Sequence, residues 1–458
     1  MEEKEKIFKA QSEKVGFDLQ HRKVIRYNIG QYNQAVKRGK NYFYSLDAAK
    51  EQASDIKNYV LDDIEKLLTQ FEEKAVQNGC EIYWASTAEE VLECVDRAIE
   101  IEQVKRVVKM KSMVSEELKL NEFLEKRDVE VNETDLGEFI VQQAGERPYH
   151  ILTPAMHKSK EDVAELFNQK FGMDENSKPE EITEFVRDYL REKFCASDLG
   201  ITGANFLISE TGSVGLTENE GNGMMTFSWP RVLLTIAGIE KILPEWGDLD
   251  LFWPLLSVHG TGQQITAYNT ILSGPKRENE ADGPERMIII LFDGGRTRLY
   301  EEEQIDQTLK CIRCGACLNA CPVYQTIGGF TYETTYTGPI GSVISSYMDG
   351  TEDTGFLNFA SSLCGKCTEV CPVKIPLHHL LLLNRKKIVE GRKNKGVEKF
   401  FMNNYKKFML SRKKLERVNA GWKNRAMKGV GMKVWGPRRS PLVFAKTSFS
   451  KSWVKKHP

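Results

Sequence analysis

Two cysteine runs constrain this chain more than any other feature. CIRCGACLNACP spans residues 311–322 and CGKCTEVCP spans 364–372. The first run spaces Cys311, Cys314, Cys317 and Cys321 as C-x2-C-x2-C-x3-C-P, the bacterial-type iron–sulfur pattern. A cubane cluster needs one thiolate at each corner. Two-residue gaps let the backbone wrap successive corners and aim its amides at the cluster sulfides. Gly315 lets the chain pass close, and Pro322 turns it away after the last ligand.

In two-cluster ferredoxins the fourth cysteine of a run ligates the other cluster. That rule assigns Cys311, Cys314, Cys317 and Cys371 to cluster 1, and Cys321, Cys364 and Cys367 to cluster 2. Both are expected as [4Fe-4S] clusters. Cluster 2 then has three cysteines, because position 361, where a full second run would place another, is Ser361. Ser361, water, substrate or a partner residue can hold the fourth iron, or a three-iron cluster forms; spacing leaves these open. Zinc is the competing metal, but zinc sites commonly set two cysteine pairs a dozen or more residues apart. Four cysteines in the first run are too crowded for one tetrahedral ion.

Adjacent iron–sulfur clusters relay single electrons. The chain shows no built-in donor for them. GTGQQI (260–265) and GNGMMT (221–226) lack the third glycine of a dinucleotide fingerprint, and no P-loop or C-x3-C-x2-C run occurs. A relay without its own donor implies partner subunits.

The remainder of the 458 residues divides into four parts. Residues 1–54 read as a polar helical extension. Residues 55–300 alternate helical and strand signals. CEIYWA (80–85), RVVKM (106–110), NFLIS (205–209), RVLLTIAGI (231–239) and RMIIILFDG (286–294) are strand-like, and Thr87 with Glu90 forms a capping-box pattern. This alternation predicts an α/β domain with a largely parallel sheet. Residues 301–391 are rich in turns, with a last helix opening at Pro376 and stopping at Gly391. Residues 392–458 form a basic tail.

Net charge is −1, yet it is polarised: from Arg385 onward there are 23 Lys/Arg and 3 Asp/Glu, and before it 41 and 62. Aromatics interleave the basic tail, and Phe401, Tyr405, Phe408 and Met409 share one helical face. The final thirty or so residues read as irregular. Such a tail suits an acidic partner first, then an anionic membrane surface helped by Trp422, Trp435 and Trp453, then nucleic acid. No apolar run reaches the roughly 18 residues of a membrane-spanning helix, and the N-terminus MEEKEKIFKA has no signal-peptide stretch, so a cytoplasmic location is expected.

The chain resembles the lactate utilization protein B family, the iron–sulfur subunits of bacterial L-lactate oxidation systems. ITGANFLISETGSVGLTENEGNG (201–223), HGTGQQITAYNTILSGP (259–275) and the paired cysteine runs carry the likeness. The resemblance implies a lactate-utilization domain similar to sugar-phosphate isomerase and CoA-transferase folds, followed by an α-rich ferredoxin-like two-cluster domain. It implies electron transfer during oxidation of L-lactate to pyruvate, by a subunit not catalytic alone. Its partners would be a cysteine-rich subunit and a subunit with only the lactate-utilization domain. The alternatives are the iron–sulfur subunit of a glycolate-type 2-hydroxy-acid oxidase, and a metal-stabilised nucleic-acid-binding regulator; DNA is not expected as a partner.

Weaker signals remain. The loop 210–223 offers the amides of Thr211, Gly212 and Ser213 to a small anion, with Glu210, Glu218 or Glu220 as proton acceptor; turn residues with solvated acids are the plainer reading. His259, His378 and His379 read as structural before functional. Cys80, Cys94 and Cys195 are expected to be small buried thiols.

Overall fold

A computed structural model describes residues 2–391, 396–431 and 439–457. The chain divides into two compact units, Met1–Ile388 and Val389–Pro458.

Ten strands organise the first unit: β1 Glu81–Ala85, β2 Arg106–Lys109, β3 Glu130–Glu133, β4 Leu199–Thr202, β5 Phe206–Ile208, β6 Ser213–Glu218, β7 Val232–Gly238, β8 Ile242–Leu243, β9 Tyr268–Leu272 and β10 Arg286–Phe292. Six form a parallel sheet in the order β1-β10-β7-β4-β2-β3. Composition explains the order. β7 (VLLTIAG) is buried at every residue and β10 (RMIIILF) at all but its first, because helices cover both faces of a parallel sheet. β1 lies at an edge and is only partly buried. Arg286 at the start of β10 clamps it to β1 by two 2.8 Å bonds to the Glu81 carboxylate.

A second sheet, β8-β5-β6-β9, was not foreseen. Its β5–β6 hairpin and the β6–β9 pair are antiparallel, and β5–β8 is parallel. NFLIS therefore leaves the main sheet, where the sequence alternation had placed it.

Helix Ala88–Glu102 begins as expected, with Thr87 accepting from the Glu90 N–H. The return bond differs: the Glu90 carboxylate accepts from Ser86 N–H at 2.6 Å, not from Thr87. Val91, Val95 and Ala98 are buried and Cys94 is half-buried. Cys80 is buried, but Cys195 is exposed, because it ends helix Pro179–Cys195 one residue after the last buried position, Phe194.

The N-terminal helices Glu2–Gly16 and Leu19–Gly39 pack onto the rest of the unit. Phe8 meets Tyr332 and Phe356, while Ile25 and Ile29 share a core with Tyr149 and Met156. Helix Leu46–Asp62 links the sheets to the cysteine region. Lys57 donates to the Glu240 and Ile242 carbonyls, Lys50 donates to the Glu369 carbonyl, and Lys310 donates to Ser54 and Asn58. Leu249, Phe252 and Leu255 of helix Leu249–Gly260 share one core with Leu309, Ile312 and the buried cysteines.

Residues 301–391 contain no strand, and the last helix is Leu377–Gly391. In the second unit, helices cover Gly396–Met409, Arg412–Arg417 and Ala420–Ala426. Phe449–Lys456 is helical too, where irregular structure was expected; Ser448 caps it by accepting from Lys451 N–H. Tyr405, Met409, Trp422 and Trp453 are exposed. Trp435 and the side chains of Phe401 and Phe408 lie outside the described residues.

Candidate iron–sulfur centre and adjoining crevice

The two cysteine runs adopt the same local backbone. Gly315 (φ 70°) and Gly365 (φ 80°) each precede one helical turn, Ala316–Ala320 and Lys366–Val370. Cys321 and Cys371 end those turns in extended conformation. Two residues before each glycine, Arg313 (φ 59°) and Leu363 (φ 55°) are both left-handed. A side chain at Gly315 would press on Ile151 and His150, at 3.1 and 3.3 Å, so glycine serves close approach as well as conformation.

Cys311, Cys314, Cys317 and Cys371 line one mainly apolar cavity with Ile151, Leu318 and Tyr336. Cys321, Cys364 and Cys367 form a second neighbouring group, and Cys367 also faces Cys317. Backbone amides point at the sulfurs: Arg313 N–H to Cys311 Sγ and Ile375 N–H to Cys371 Sγ, each at 3.4 Å. The amides of Ala316, Thr368 and Val373 address Cys314, Cys367 and Cys371. Burial, with the neighbouring thiols, pushes Cys314 and Cys317 up, and Cys367 and Cys371 up to about 11. Four thiolates in an apolar cavity need a cationic core to hold them ionised, and the amide donors offset what negative charge remains. The donor set therefore fits an iron–sulfur cluster.

The profile of the LUD domain matches residues 68–292, and that of the 4Fe-4S dicluster domain matches residues 307–375. Lactate utilization protein B of Oceanobacillus iheyensis is 42% identical over 381 residues, covering 83% of this chain and 78% of the relative. The protein of that name in Bacillus subtilis is 44% identical over 339 residues, 74% of this chain and 71% of its own.

The chain belongs to the lactate utilization protein B family.

A likeness to a DUF162 family protein from Deinococcus radiodurans, with a TM-score of 0.30 and 15% identity over 50% of this chain and 98% of that one, is too loose to carry any statement about the site. No helix among the described residues is long and apolar enough to cross a membrane.

In the stretch 201–223, one of the three turn amides expected to face an anion is engaged elsewhere. Thr211 and Gly212 join β5 to β6, the Gly212 N–H is spent on the Ile208 carbonyl, and Ser213 begins β6. Gly212 (φ 62°) packs against helix Ile64–Gln77, where a Cβ would stand 2.2 Å from Ala75 N. Glu210 accepts from Trp246 N–H, Glu218 accepts from Glu220 and Gly221 N–H, and Glu220 accepts from Leu136 N–H. These acids fasten loops. His259 is buried on its helix with Nδ1 at 2.8 Å from the Leu255 carbonyl; His378 bonds Thr368, and His379 is exposed. Gly262 of the GTGQQI turn is a packing glycine, its position pressed against Ala35.

Sequence reasoning missed a buried charge network beside the thiols. Glu240 joins Arg296 at 2.6 Å and Arg313 at 3.1 Å, and Glu117 joins Arg296 and the Tyr336 hydroxyl. Arg313 stacks on the Tyr336 ring at 4.3 Å. Single charged residues scattered over two hundred positions give no local pattern to find. Next to this network, a crevice of about 110 Å³ opens at the carboxyl ends of β2 and β4, lined by Lys111, Ser112, Asn205, Lys241 and Arg313. Met113, Ile151, Arg313 and Tyr336 line both it and the thiol cavity.

Proposed function

We propose that this chain is the iron–sulfur electron-transfer subunit of a system oxidising L-lactate to pyruvate. One observation carries the reading: an enclosed thiol group and a surface-reaching one lie side by side, in a chain whose relatives are named for lactate utilization. The bound clusters would each accept and release single electrons. Cys311, Cys314, Cys317 and Cys371 hold cluster 1; Cys321, Cys364 and Cys367 hold cluster 2. Cys364 is exposed, so electrons leave or enter the chain on that side, toward partner subunits. Those partners are a cysteine-rich subunit and one with only the lactate-utilization domain, with the chain itself cytoplasmic.

Ser361 supplies the fourth corner of cluster 2. Its Oγ accepts from Leu363 N–H at 3.1 Å, the counterpart of Arg313 N–H on Cys311 Sγ in the first run. Arg385 further holds the Ser361 carbonyl at 2.8 Å. The equivalent backbone and the shared amide bond support Ser361 Oγ as the counterpart of Cys311 Sγ.

Iron and sulfide per chain, measured after anaerobic purification, test the reading. About eight of each support two cubanes; zinc without sulfide overturns the relay. Ser361→Ala is expected to yield a three-iron signal by electron paramagnetic resonance, and Ser361→Cys to restore an ordinary all-cysteine spectrum. A Ser361→Ala protein with an unchanged spectrum removes serine from the ligand set. A deletion strain should lose growth on L-lactate but not on glycolate, and Cys311→Ser should fail to restore it.

A further inference from the structure

The crevice between β2 and β4 lies where ligands bind in open parallel sheets. From β2 the chain moves outward to β3. It then returns to β4 on the other side of β2 and continues through β7 to β10. The direction of winding therefore reverses between β2 and β4. Such a switch point opens a cleft beyond the strand carboxyl ends. Here Lys111, Ser112 and Met113 follow β2, and Gly203, Ala204 and Asn205 follow β4. Gly203 is required for this closeness, since a Cβ there would meet Ser112 Oγ at 2.5 Å.

Lys111 in the lining is paired with Asp135 and the Leu152 carbonyl, but other donors there lack an acceptor among the described residues. The Arg313 side chain is 9% exposed; its Nη2 reaches Glu240, but its buried Nη1 has no partner among the described residues. Lys241 is 9% exposed, and its ammonium makes no hydrogen bond or ion pair among the described residues. Asn205 lines the crevice and spends its Oδ1 on Thr217 N–H at 2.9 Å, which leaves its amide nitrogen as a donor. Ser112 precedes a short helix without capping it. Charge points the same way. Of the buried cationic side chains around Glu240, which are Arg296, Arg313, Lys241 and Lys57, only the two arginines are ion-paired, with Glu117 and Glu240. A buried unpaired charge is costly unless something neutralises it.

We infer that this crevice binds a small carboxylate, held between Arg313, Lys241, Asn205 and Ser112, one residue layer from the cavity of Cys311, Cys314, Cys317 and Cys371. Its volume of about 110 Å³ is well under the roughly 300 Å³ where drug-sized ligands begin. That excludes a nucleotide and suits an anion of a few heavy atoms. The anion site stands on the geometry alone. The choice of a carboxylate over phosphate rests on the lactate reading above. The thiol cavity is the rival claimant for the spare charge, because Cys311 lies near both Lys241 and Arg313. Asn205 and Ser112 line only the crevice, which favours a ligand there.

Isothermal titration of the full-length, anaerobically purified chain at constant ionic strength tests this, with sodium L-lactate, sodium pyruvate and sodium phosphate as separate probes. Saturable one-to-one binding of L-lactate or pyruvate is expected, weakened at least tenfold in Lys241→Met and in Asn205→Ala at unchanged iron content. Asn205→Ala removes a half-buried amide without touching the charge network, so it decides the matter if Lys241→Met fails to fold. Phosphate binding alone, lost in the same variants, overturns the carboxylate. No saturable binding, or binding indifferent to both substitutions, overturns the site and leaves the relay standing. Absence of iron and sulfide overturns the relay while the titration still reads the crevice.

Discussion

Glu240 shows how one residue can hold two cations in the interior. Burial opposes its ionisation, but Arg296 and Arg313 outweigh that and keep its carboxyl well below the usual range. Removing the charge leaves two buried guanidiniums short of a counterion. Glu240→Gln should therefore cost roughly 3–5 kcal/mol, read as a lower urea midpoint, whereas Glu210→Gln on the hairpin should change little. His259 gives a pH signature. Burial pushes it down to about 4, against the pull of its bond to the Leu255 carbonyl, with Lys40 and Lys50 adding to the depression. The unfolded imidazole titrates near 6.5. Between those values the unfolded chain binds a proton that the native chain does not. The stability it contributes is complete above about pH 6.5 and is lost as pH falls toward 4, by up to ~3 kcal/mol. Urea midpoints at pH 7 and pH 5 should separate more for the parent than for His259→Gln. Of these residues the sequence made only the histidine noticeable, and then without its environment; the value of Glu240 depends on partners 56 and 73 positions away.

At the scale of elements, the cysteine loops were legible because their geometry is local. Gly315 and Gly365, a single helical turn and a following proline define a loop within a dozen residues, and the structure builds it twice. The buried strands β7 and β10 were legible for a similar reason, since unbroken apolar runs have one home in a parallel sheet. The β5–β6 hairpin was not. Its strands carry the same apolar residues as a central strand, and only pairing with β8 and β9 sets them in a separate sheet. Gly212→Ala tests the turn: with φ at 62° and Ala75 N in the way, it should lower stability by about 1–3 kcal/mol at unchanged iron content. The N-terminal helices lacked a clear apolar face in the sequence, yet they cover Tyr149, Tyr332 and Phe356 beside the thiols. Deleting residues 2–39 should lower the iron bound per chain and raise the rate at which a chelator removes it.

The whole molecule is an acidic body with a basic end. Residues 1–384 carry 41 Lys/Arg against 62 Asp/Glu, and the rest carry 23 against 3. Since Met1–Ile388 forms a compact unit by itself, truncation after Gly391 should leave iron content and thermal midpoint unchanged. The same truncation should weaken assembly with partner subunits, and the loss should resemble the effect of raising salt on the intact chain. Assembly that survives truncation assigns the tail elsewhere; sedimentation with anionic vesicles then tests the membrane surface. By itself the sequence determined the paired cysteine runs of a 4Fe-4S dicluster domain, the α/β class of the larger part and the charge polarity, because each is written in neighbouring residues. Tertiary structure alone decided that Lys241, Arg313, Asn205 and Ser112 converge on one crevice beside the thiols. Those four come from a β2 loop, a β4 loop, the turn after β7 and the first cysteine run, and only the winding order of the sheet brings such distant segments to one edge.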